Sequence, residues 1–267
     1  MKLSEIKLHI LTLHWNQKDM IERLYKSLIP AVEMFDYKWW IKDNSSKDGS
    51  VEYLSSIQSD RIDTFFCGHN TDSFSSGMNV LFERAKPADD DIIMLLNNDL
   101  WFNDTASVVE MHKLLTKDVG MVGARILYPD GKRLQHAGVY FSKKYNYFPY
   151  HYRHQELDDA DSRTNREFQA VTGALVLVRA GDYKRICTTN KSGRVGLDEG
   201  YFWSFEDIDG ALAVKYRLKK KIMYCGKTNV FHEESATLKK NPMHKLMMNN
   251  NTKLFREKWF GVYKHDD

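Results

Sequence analysis

The sequence predicts an α/β protein with a mixed, mostly parallel central sheet flanked by helices, and three observations carry this prediction. The run at 92–96 (IIMLL) has no polar residue, which is typical of a strand buried on both faces. A strand, a polar turn and a helix follow one another three times before that run, and this order indicates βαβ units. The apolar content of 42% and the charged content of 28% are those of a folded domain.

Apolar alternation and helical spacing place the elements in order. In the first half, strands are predicted at 7–13, 37–41, 61–67 and 92–96, and helices at 19–29, at 51–57 and from residue 80 onward. In the second half, helices are predicted at 105–115 and 207–216, and strands at 119–127, 134–141, 170–179 and 221–231. Residues 145–168 have no clean period and predict a mobile loop over a site.

Several classes of protein are disfavoured. No apolar run approaches the length that spans a bilayer, and polar residues interrupt 1–10, unlike a signal peptide. Cys67, Cys187 and Cys225 have no metal-ligand spacing and leave one cysteine unpaired, which favours a reducing cytoplasm. The chain has neither the G-x-G-x-x-G of a dehydrogenase nor the phosphate loop of a P-loop NTPase.

Candidate chemistry begins where the central strand ends, at Asn97, Asn98 and Asp99. Ligands of open α/β sheets bind off the carboxyl ends of the strands, so Asp99 is placed where a hard cation and a phosphate can meet. The structural alternative is a turn in which these side chains satisfy backbone donors.

Two later segments carry further candidates. Glu206, Asp207 and Asp209 begin a predicted helix, where one carboxylate could serve as a general base or all three could simply favour the helix start. His232 follows the last strand and is either a metal ligand or a packed core histidine.

The C-terminal part of the chain is basic. Residues 212–267 contain thirteen Lys or Arg against five Asp or Glu. This is either a solvated surface or a surface that attracts an anionic partner. Phe255, Trp259, Phe260 and Tyr263 would suit a phosphate backbone, and the stretch would equally suit an anionic membrane.

In this order, the motifs resemble those of family 2 glycosyltransferases, which have the GT-A fold, over about residues 7–237. The segments that carry the resemblance are DNSSKDGS with Asp43, LLNND with Asp99, YPDGKRLQHAG at 128–138, FWSFEDIDGALAVKYR with Glu206 and Asp207, and VFHEESAT with His232. VTGALVLVR at 171–179 and NTDSFSSGMN at 70–79 are secondary matches. The closest subtype is that of rhamnosyl- and galactofuranosyltransferases.

The resemblance implies roles for particular residues. The contacts implied for a nucleoside diphosphate sugar, most often of uridine or deoxythymidine, are those of Thr12, Trp15, Asn16, Asp43, Ser45, Asn70, Gly77, Asn79, Asn97 and Asn98. Asp99 would bind Mn²⁺ or Mg²⁺ on the diphosphate, with His232 as second ligand, although Asn97 replaces the first Asp of the family's D-x-D. Asp207 would be the base, with Glu206 as the second choice, and Thr172, Gly173 and Trp203 would border the sugar pocket.

The implied function is inverting, metal-dependent transfer from a UDP- or dTDP-sugar to a hydroxyl of a glycan or lipid-linked glycan in polysaccharide biosynthesis. We expect a nucleotide-sugar-binding half at 1–101, a catalytic and acceptor-binding half at 102–237 and a basic helical extension at 238–267. The enzyme is expected in the cytoplasm, free or at the inner face of a membrane, or in a host cytoplasm if it is encoded by a phage.

Three alternatives stay open. A phage-type enzyme would glycosylate a hydroxymethylated base in DNA, to which the basic C-terminus could bind. A nucleotidyltransferase would need a Gly-rich basic loop after the first strand, which residues 14–17 (HWNQ) do not resemble. An inactive sugar-binding module would explain Asn97.

Overall fold

The computed structural model describes residues 2–68, 73–202, 204–233 and 244–267. Two predicted contacts, Asn70 and Trp203, lie outside these residues, as does the start of the predicted extension at 238–243. The strands are β1 Lys7–His14, β2 Asp36–Asp43, β3 Ile62–Phe66, β4 Ile92–Leu96, β5 Leu100–Phe102, β6 Val119–Leu127, β7 Leu134–His136, β8 Val139–Phe141, β9 Pro149–His151, β10 Arg166–Phe168, β11 Leu175–Arg179 and β12 Lys221–His232. The α-helices are α1 Lys18–Val32, α2 Ser50–Ser56, α3 Phe74–Ala85, α4 Ser107–Leu114, α5 Ala180–Tyr183, α6 Glu206–Leu212 and α7 His244–Trp259.

The main sheet confirms the predicted α/β class. Its strand order is β10-β12-β6-β11-β4-β1-β2-β3, with β5 paired to β12 and β7 paired to β6. Strands β3, β2, β1 and β4 are mutually parallel, as are β6 and β12, whereas β11 runs antiparallel to both β4 and β6. The ends of β1, β2 and β4 therefore meet at one edge, as the βαβ pattern predicts.

Apolar side chains on the two faces of the sheet form two core clusters. Every residue of β4 is buried, as its uninterrupted apolar run predicts. Helix α1 packs Ile21, Leu24 and Leu28 onto one face, and these three have the spacing of a single helical stripe. The cluster on the other face contains Leu11 of β1 and Tyr263 near the C-terminus. The C-terminal segment thus shares a core with the first strand.

The prediction for 134–168 was wrong in two respects. The strand expected at 134–141 is broken into β7 and β8 at Gly138, whose φ of 106° is a conformation that favours glycine. A Cβ at this position would also lie 2.5 Å from the Phe168 ring. The loop expected at 145–168 contains β9, which pairs with β8, and β10, which pairs with β12. Short strands of three residues are too brief to give a period in the sequence.

Helix α7 and the residues after it pack against the domain. Phe255, Trp259 and Tyr263 are buried, whereas Phe260 is 62% exposed. The prediction that these four aromatic residues form a surface for a phosphate backbone is therefore wrong for three of them, because they complete the hydrophobic core.

Candidate active site

The turn after β4 holds the first part of the site. Asn97 continues the sheet through its backbone N–H, which donates to the Ala174 carbonyl at 2.9 Å. Strand β5 begins at Leu100 and runs antiparallel to the end of β12, where His232 lies opposite Leu100. The Glu233 N–H donates to the Asp99 carbonyl at 3.1 Å. This pairing explains why residues 133 positions apart in the sequence come together.

Asp99 and His232 are in direct contact. The distance from His232 Nε2 to Asp99 Oδ1 is 2.9 Å, and both side chains are largely buried. The other imidazole nitrogen, Nδ1, lies 2.6 Å from Gln135 Oε1, and the Gln135 amide group donates to the His232 carbonyl at 3.4 Å. Gln135 Oε1 accepts the Nδ1 proton, so Nε2 faces the carboxylate either as a lone pair or as a second N–H donor.

This donor set fits a divalent cation. A bare imidazole nitrogen and a carboxylate oxygen in contact repel one another unless a proton or a cation lies between them. Neighbouring ligands of an octahedral Mg²⁺ are about 3 Å apart, which matches the 2.9 Å separation of Nε2 and Oδ1. Among the described residues, no group of three or more His, Cys, Asp or Glu side chains is arranged to hold a metal. A cation held by Asp99 and His232 would have its remaining positions available to phosphate oxygens and water, as is usual for Mg²⁺ bound with a substrate.

Asp207 lies in the first turn of α6 and is held by uncharged donors. The N–H groups of Gly173 and Ile208 donate to its two carboxylate oxygens at 2.9 and 2.8 Å, and the Thr172 hydroxyl lies 3.3 Å away. Gly173 is required here, because a Cβ would lie 2.9 Å from the Asp207 Cβ. Burial raises the pKa of Asp207 above that of an ordinary Asp, against the opposing effect of these hydrogen bonds.

Glu206 is buried beside Asp207 but differs from it in hydrogen bonding and in pKa. Burial, and then the charge of Asp207, raise the pKa of Glu206 to about 8. Its Oε2 atom is buried and has no hydrogen-bond partner among the described residues, which a carboxylic acid tolerates better than a carboxylate. The hydrogen bonds that Asp207 accepts favour its charged form, whereas Glu206 Oε2 accepts none in the described part of the chain, so a proton shared by the pair resides on Glu206.

Both acids line a cavity of about 390 Å³. Its polar wall includes Asn97, Tyr150, His151, Thr172, Ser204, Glu206 and Asp207, and its apolar wall includes Phe74, Val139, Pro149, Phe205, Ile208 and Met248. The Asn97 amide nitrogen also lies 3.5 Å from His232 Nε2. Asn97 thus connects the cavity that contains the acids with the Asp99–His232 pair.

The ends of β1 and β2 form the edge next to this pair. Asp43 accepts hydrogen bonds from the Ser46 N–H at 2.9 Å and the Ser46 hydroxyl at 2.5 Å, and it thereby shapes the loop that carries Ser45. Asn16 ties the two loops together, because its N–H donates to Ser46 Oγ and its side chain accepts from the Lys47 N–H. Trp15 is 41% exposed at this edge.

His14 lies at the same edge, within the stretch from Thr12 to Asn16 expected to contact the nucleotide, but it was not singled out. Asn98 Nδ2 lies 3.0 Å from His14 Nδ1, and His14 Nε2 is buried with no hydrogen-bond partner in the part of the chain that the structure describes. Burial lowers the pKa of His14 to about 4, so the ring is neutral. The signal was its place as the last residue of β1, the position that Asp43 occupies in β2. Gln135, which orients His232, lies in the segment 128–138 that carries the resemblance, but it had been assigned no role.

Three residues predicted to contact the nucleotide are engaged elsewhere. Thr12 is fully buried, and its hydroxyl accepts a hydrogen bond from the Trp39 indole at 2.9 Å. Gly77 packs against β1, where a Cβ would lie 2.7 Å from Leu13. Asn79 is fully buried and joins α3 to the loop before α6 through the Leu197 backbone. These positions support the fold beneath the site.

The mixed, mostly parallel sheet with an acidic cavity agrees with the GT-A glycosyltransferase class expected from the sequence. A family model described as Glycosyl transferase family 2 matches residues 10–172. The chain belongs to this family, which confirms the enzyme class predicted from the sequence. No curated protein matches the sequence.

Two solved structures are similar in fold. One is the crystal structure of GalNAc-T7 with UDP, GalNAc and Mn²⁺, with a TM-score of 0.61 and 10% identity. The other is the mannosyltransferase PcManGT from Pyrobaculum calidifontis in complex with GDP-Man and Mn²⁺, also with a TM-score of 0.61 and 10% identity. The matches cover 85% and 93% of this chain but only 44% and 64% of those two chains. They confirm the GT-A fold.

Proposed function

We propose that this protein transfers a sugar, with inversion, from a nucleoside diphosphate sugar to a hydroxyl of a glycan or lipid-linked glycan. One observation carries the proposal: Asn97 lies in the cavity of Asp207 and beside the Asp99–His232 pair. A base and a candidate cation site thus border the same space. Two similar structures contain a nucleotide or nucleotide sugar together with Mn²⁺, which supports the same chemistry here.

Asp99 and His232 would hold Mn²⁺ or Mg²⁺. When bound, such a cation neutralises the charge that develops on a departing diphosphate. In a neutral His232, Gln135 keeps the metal-binding nitrogen unprotonated, because it accepts the proton of the other nitrogen. The donor would lie along the edge formed by Trp15, Asn16, Ser45 and Asn98, with a uracil or thymine base as the resemblance implies.

Asp207 acts as the general base in this proposal. The Gly173 and Ile208 N–H groups fix its orientation without neutralising its charge, and burial makes it a stronger base than an exposed Asp. The carboxylate takes the proton of the acceptor hydroxyl as the hydroxyl oxygen attacks the anomeric carbon. Glu206, which is protonated, leaves Asp207 as the charged member of the pair. Attack from the side opposite the diphosphate inverts the anomeric configuration in a single displacement.

The structure favours a glycan acceptor over DNA in one respect. Phe255, Trp259 and Tyr263 are buried, so the C-terminus has lost most of the aromatic surface proposed for nucleic-acid binding. None of the described helices combines the length and the apolar character needed to cross a membrane. We propose the rhamnosyl or galactofuranosyl subtype and polysaccharide biosynthesis on the sequence resemblance. The catalytic unit expected at 1–237 is extended to include α7 and the residues after it, because Phe255, Trp259 and Tyr263 belong to its core.

The first test is thermal unfolding with UDP-, GDP- and dTDP-sugars, each with and without Mn²⁺. A donor present at about a hundred times its Kd should raise Tm by about 5–10 °C, and most of that rise should need the metal. Products formed with glycan acceptors are then identified by mass spectrometry, and NMR of the new anomeric centre reports inversion. Protection by no nucleotide sugar under either condition would overturn the proposal.

A parallel incubation separates the acceptor classes. Duplex DNA with hydroxymethylated cytosine replaces the glycan in otherwise identical reactions. Transfer to the DNA and not to glycans would replace the glycan proposal with the phage-type alternative. Binding of the donor without transfer to either class would favour the sugar-binding module.

A further inference from the structure

His136, His151 and His154 lie next to each other at one wall of the cavity, and His151 is part of that wall. His136 ends β7, His151 ends β9, and the turn at Gly138 brings these strands together, since the Tyr152 N–H donates to the Gly138 carbonyl at 2.9 Å. His136 is fully buried, whereas His151 is half-buried and lines the cavity that also contains Asp207. The distance between His136 Nδ1 and His151 Nδ1 is 2.9 Å.

One backbone donor determines where the protons of these rings lie. The Thr172 N–H donates to His136 Nε2 at 3.3 Å, so this nitrogen must be bare. A neutral His136 then carries its proton on Nδ1 and donates it to His151 Nδ1. A neutral His151 that accepts at Nδ1 must carry its own proton on Nε2. The hydrogen bonds from Thr172 to His136 and from His136 to His151 therefore keep the proton of a neutral His151 on Nε2, where it is available as a donor.

Both rings are neutral at physiological pH, as this reasoning requires. Burial holds the pKa of His136 well below its usual range. Burial, and then the nearby imidazoles of His154 and His232, lower the pKa of His151 to about 4. His154 does not alter the pattern, because its Nδ1 donates to the Gln135 carbonyl at 3.0 Å and its Nε2 lies 3.2 Å from the Tyr128 hydroxyl.

We propose that His151 Nε2–H donates a hydrogen bond to an oxygen atom of the acceptor sugar, and that His136 is the positioning residue that fixes this tautomer. The proposal rests on the proposed function and adds a specificity determinant to it. Asp207 accepts a proton from the attacking hydroxyl, and a sugar presents further oxygen atoms beside it. The cavity wall contains two acids, so a rigid neutral donor complements a polyol better than a further acceptor would.

The first experiment measures the tautomers directly and needs no substrate. Long-range ¹H–¹⁵N NMR of the full-length protein, with assignment by single His substitutions, distinguishes a protonated ring nitrogen from a bare one. We expect a proton on Nδ1 of His136 and on Nε2 of His151. A proton on His151 Nδ1, or a doubly protonated His151 at pH 7, would overturn the proposal even if sugar transfer is observed.

The second experiment separates this donor from a structural role. His151→Gln places an amide N–H near the position of Nε2 and should keep the acceptor KM close to that of the wild type. His151→Phe fills the space without a donor and should raise the acceptor KM about 3- to 10-fold, while the donor KM is unchanged. A rise in the donor KM alone would show that the oxygen belongs to the donor sugar and would overturn the assignment to the acceptor. Equal kinetics for the two variants would remove the donor role altogether.

His136 and His154 provide the matched comparison. His136→Asn keeps an N–H near Nδ1 and should preserve the tautomer of His151. His136→Phe has no such donor, so the tautomer of His151 should no longer be fixed and the acceptor KM should rise. If His136→Phe does not fold, the NMR spectrum of His136→Asn still decides. A proton on His151 Nδ1 in that variant would contradict the proposal that His136 fixes the His151 tautomer. His154→Asn alters the same group of rings outside the cavity wall but keeps an N–H near Nδ1 for the Gln135 carbonyl, and it should leave both KM values near those of the wild type. If no nucleotide sugar binds to the wild type, the proposed function fails. The NMR experiment still tests separately whether His136 fixes the tautomer of His151.

Discussion

Asp207 and Asp209 lie two positions apart on α6, but their surroundings differ. Asp207 faces the cavity and is held by main-chain N–H groups and the Thr172 hydroxyl. Asp209 is fully buried on the other side of α6, where its Oδ1 accepts from Tyr201 at 3.1 Å and from Trp259 at 2.7 Å and pairs with Lys258. Neutral donors leave Asp207 with its charge available, whereas a cation neutralises Asp209.

The partners of Asp209 explain what the C-terminal helix does. Trp259 and Lys258 belong to α7, and Lys258 also contacts Asp198 at 2.7 Å. Asn251 of the same helix donates to the Ser204 carbonyl at 3.0 Å, just before the acid pair. Helix α7 therefore supports the segment that carries Glu206 and Asp207. The contrast between the two aspartates is one between the proposed base and an anchor.

The strongest test of this contrast is Asp207→Asn. The substitution keeps the shape and removes the base, so we expect kcat to fall about 10²- to 10⁴-fold. Metal-dependent protection by the nucleotide sugar should persist, because Asp207 does not contact the candidate cation site. Initial rates and Tm shifts measured on the same preparation check both parts. Unchanged turnover would remove Asp207 from its assigned role.

The second test moves to the cation pair. Asp99→Ala should lower kcat/KM about 10²-fold or more and abolish the part of the Tm shift that requires Mn²⁺. His232→Ala should act in the same direction, and the double variant should add little to either change because both residues serve one ion. Additive losses would indicate two independent roles. Treatment of the wild type with EDTA should reproduce the loss, and added Mn²⁺ should reverse it.

The third test addresses the anchor. Asp209→Asn retains an acceptor for Trp259 but no longer neutralises Lys258, which keeps its contact with Asp198. We expect the free energy of unfolding to fall by about 1–3 kcal/mol, measured by urea denaturation. Turnover per folded molecule should stay near that of the wild type. A loss as large as that of Asp207→Asn, in a folded protein, would erase the distinction between the two acids.

The sequence allowed the sheet to be predicted, and the family resemblance placed Asp99 with His232, but neither gave the environments of the acids. The apolar run before Asn97 and the strand before His232 are local patterns, and strand pairing then brings Asp99 and His232 together. Asp207 and Asp209 have the same local pattern in EDIDG. Their difference arises from Gly173, which is 34 positions away from Asp207, and from Trp259, which is 50 positions away from Asp209. Long-range packing of this kind leaves no periodic signal.

The predicted nucleotide contacts show the same limit. Thr12 and Asn79 are polar residues close in sequence to a site, but their side chains satisfy buried donors and acceptors of neighbouring elements. A buried polar group has to find a partner, and the sequence does not say whether that partner is a ligand or the protein itself. Conversely, His136 lies in the quoted segment 128–138 without having been assigned a role, and His151 lies in a segment that shows no period. The turn at Gly138 brings the two rings together, with His151 in the cavity wall.

Glu206→Gln gives the smallest expected effect and the finest test of how the acid pair divides its charge. Glu206 is protonated up to about pH 8, so a neutral amide should change kcat at pH 7 by less than about threefold. Above pH 8, wild-type Glu206 ionises beside Asp207 and repels the diphosphate, which should raise the donor KM. The variant cannot ionise and should lack this rise. Donor KM profiles from pH 6 to pH 9 check the difference, and identical profiles would contradict the assignment.

The same substitution has a signature in stability, independent of turnover. The pKa of Glu206 rises from 4.5 to about 8 on folding, so its stabilising contribution is complete below about pH 4.5 and is lost as the pH rises towards 8. The free energy of unfolding of the wild type, relative to that of Glu206→Gln, should therefore fall by up to about 1.4 kcal/mol per pH unit across this window. Urea denaturation of both proteins at pH 5, 6.5 and 8 measures this difference. Parallel curves would mean that Glu206 is ionised in the folded protein, and the base could then no longer be assigned to Asp207 by its charge.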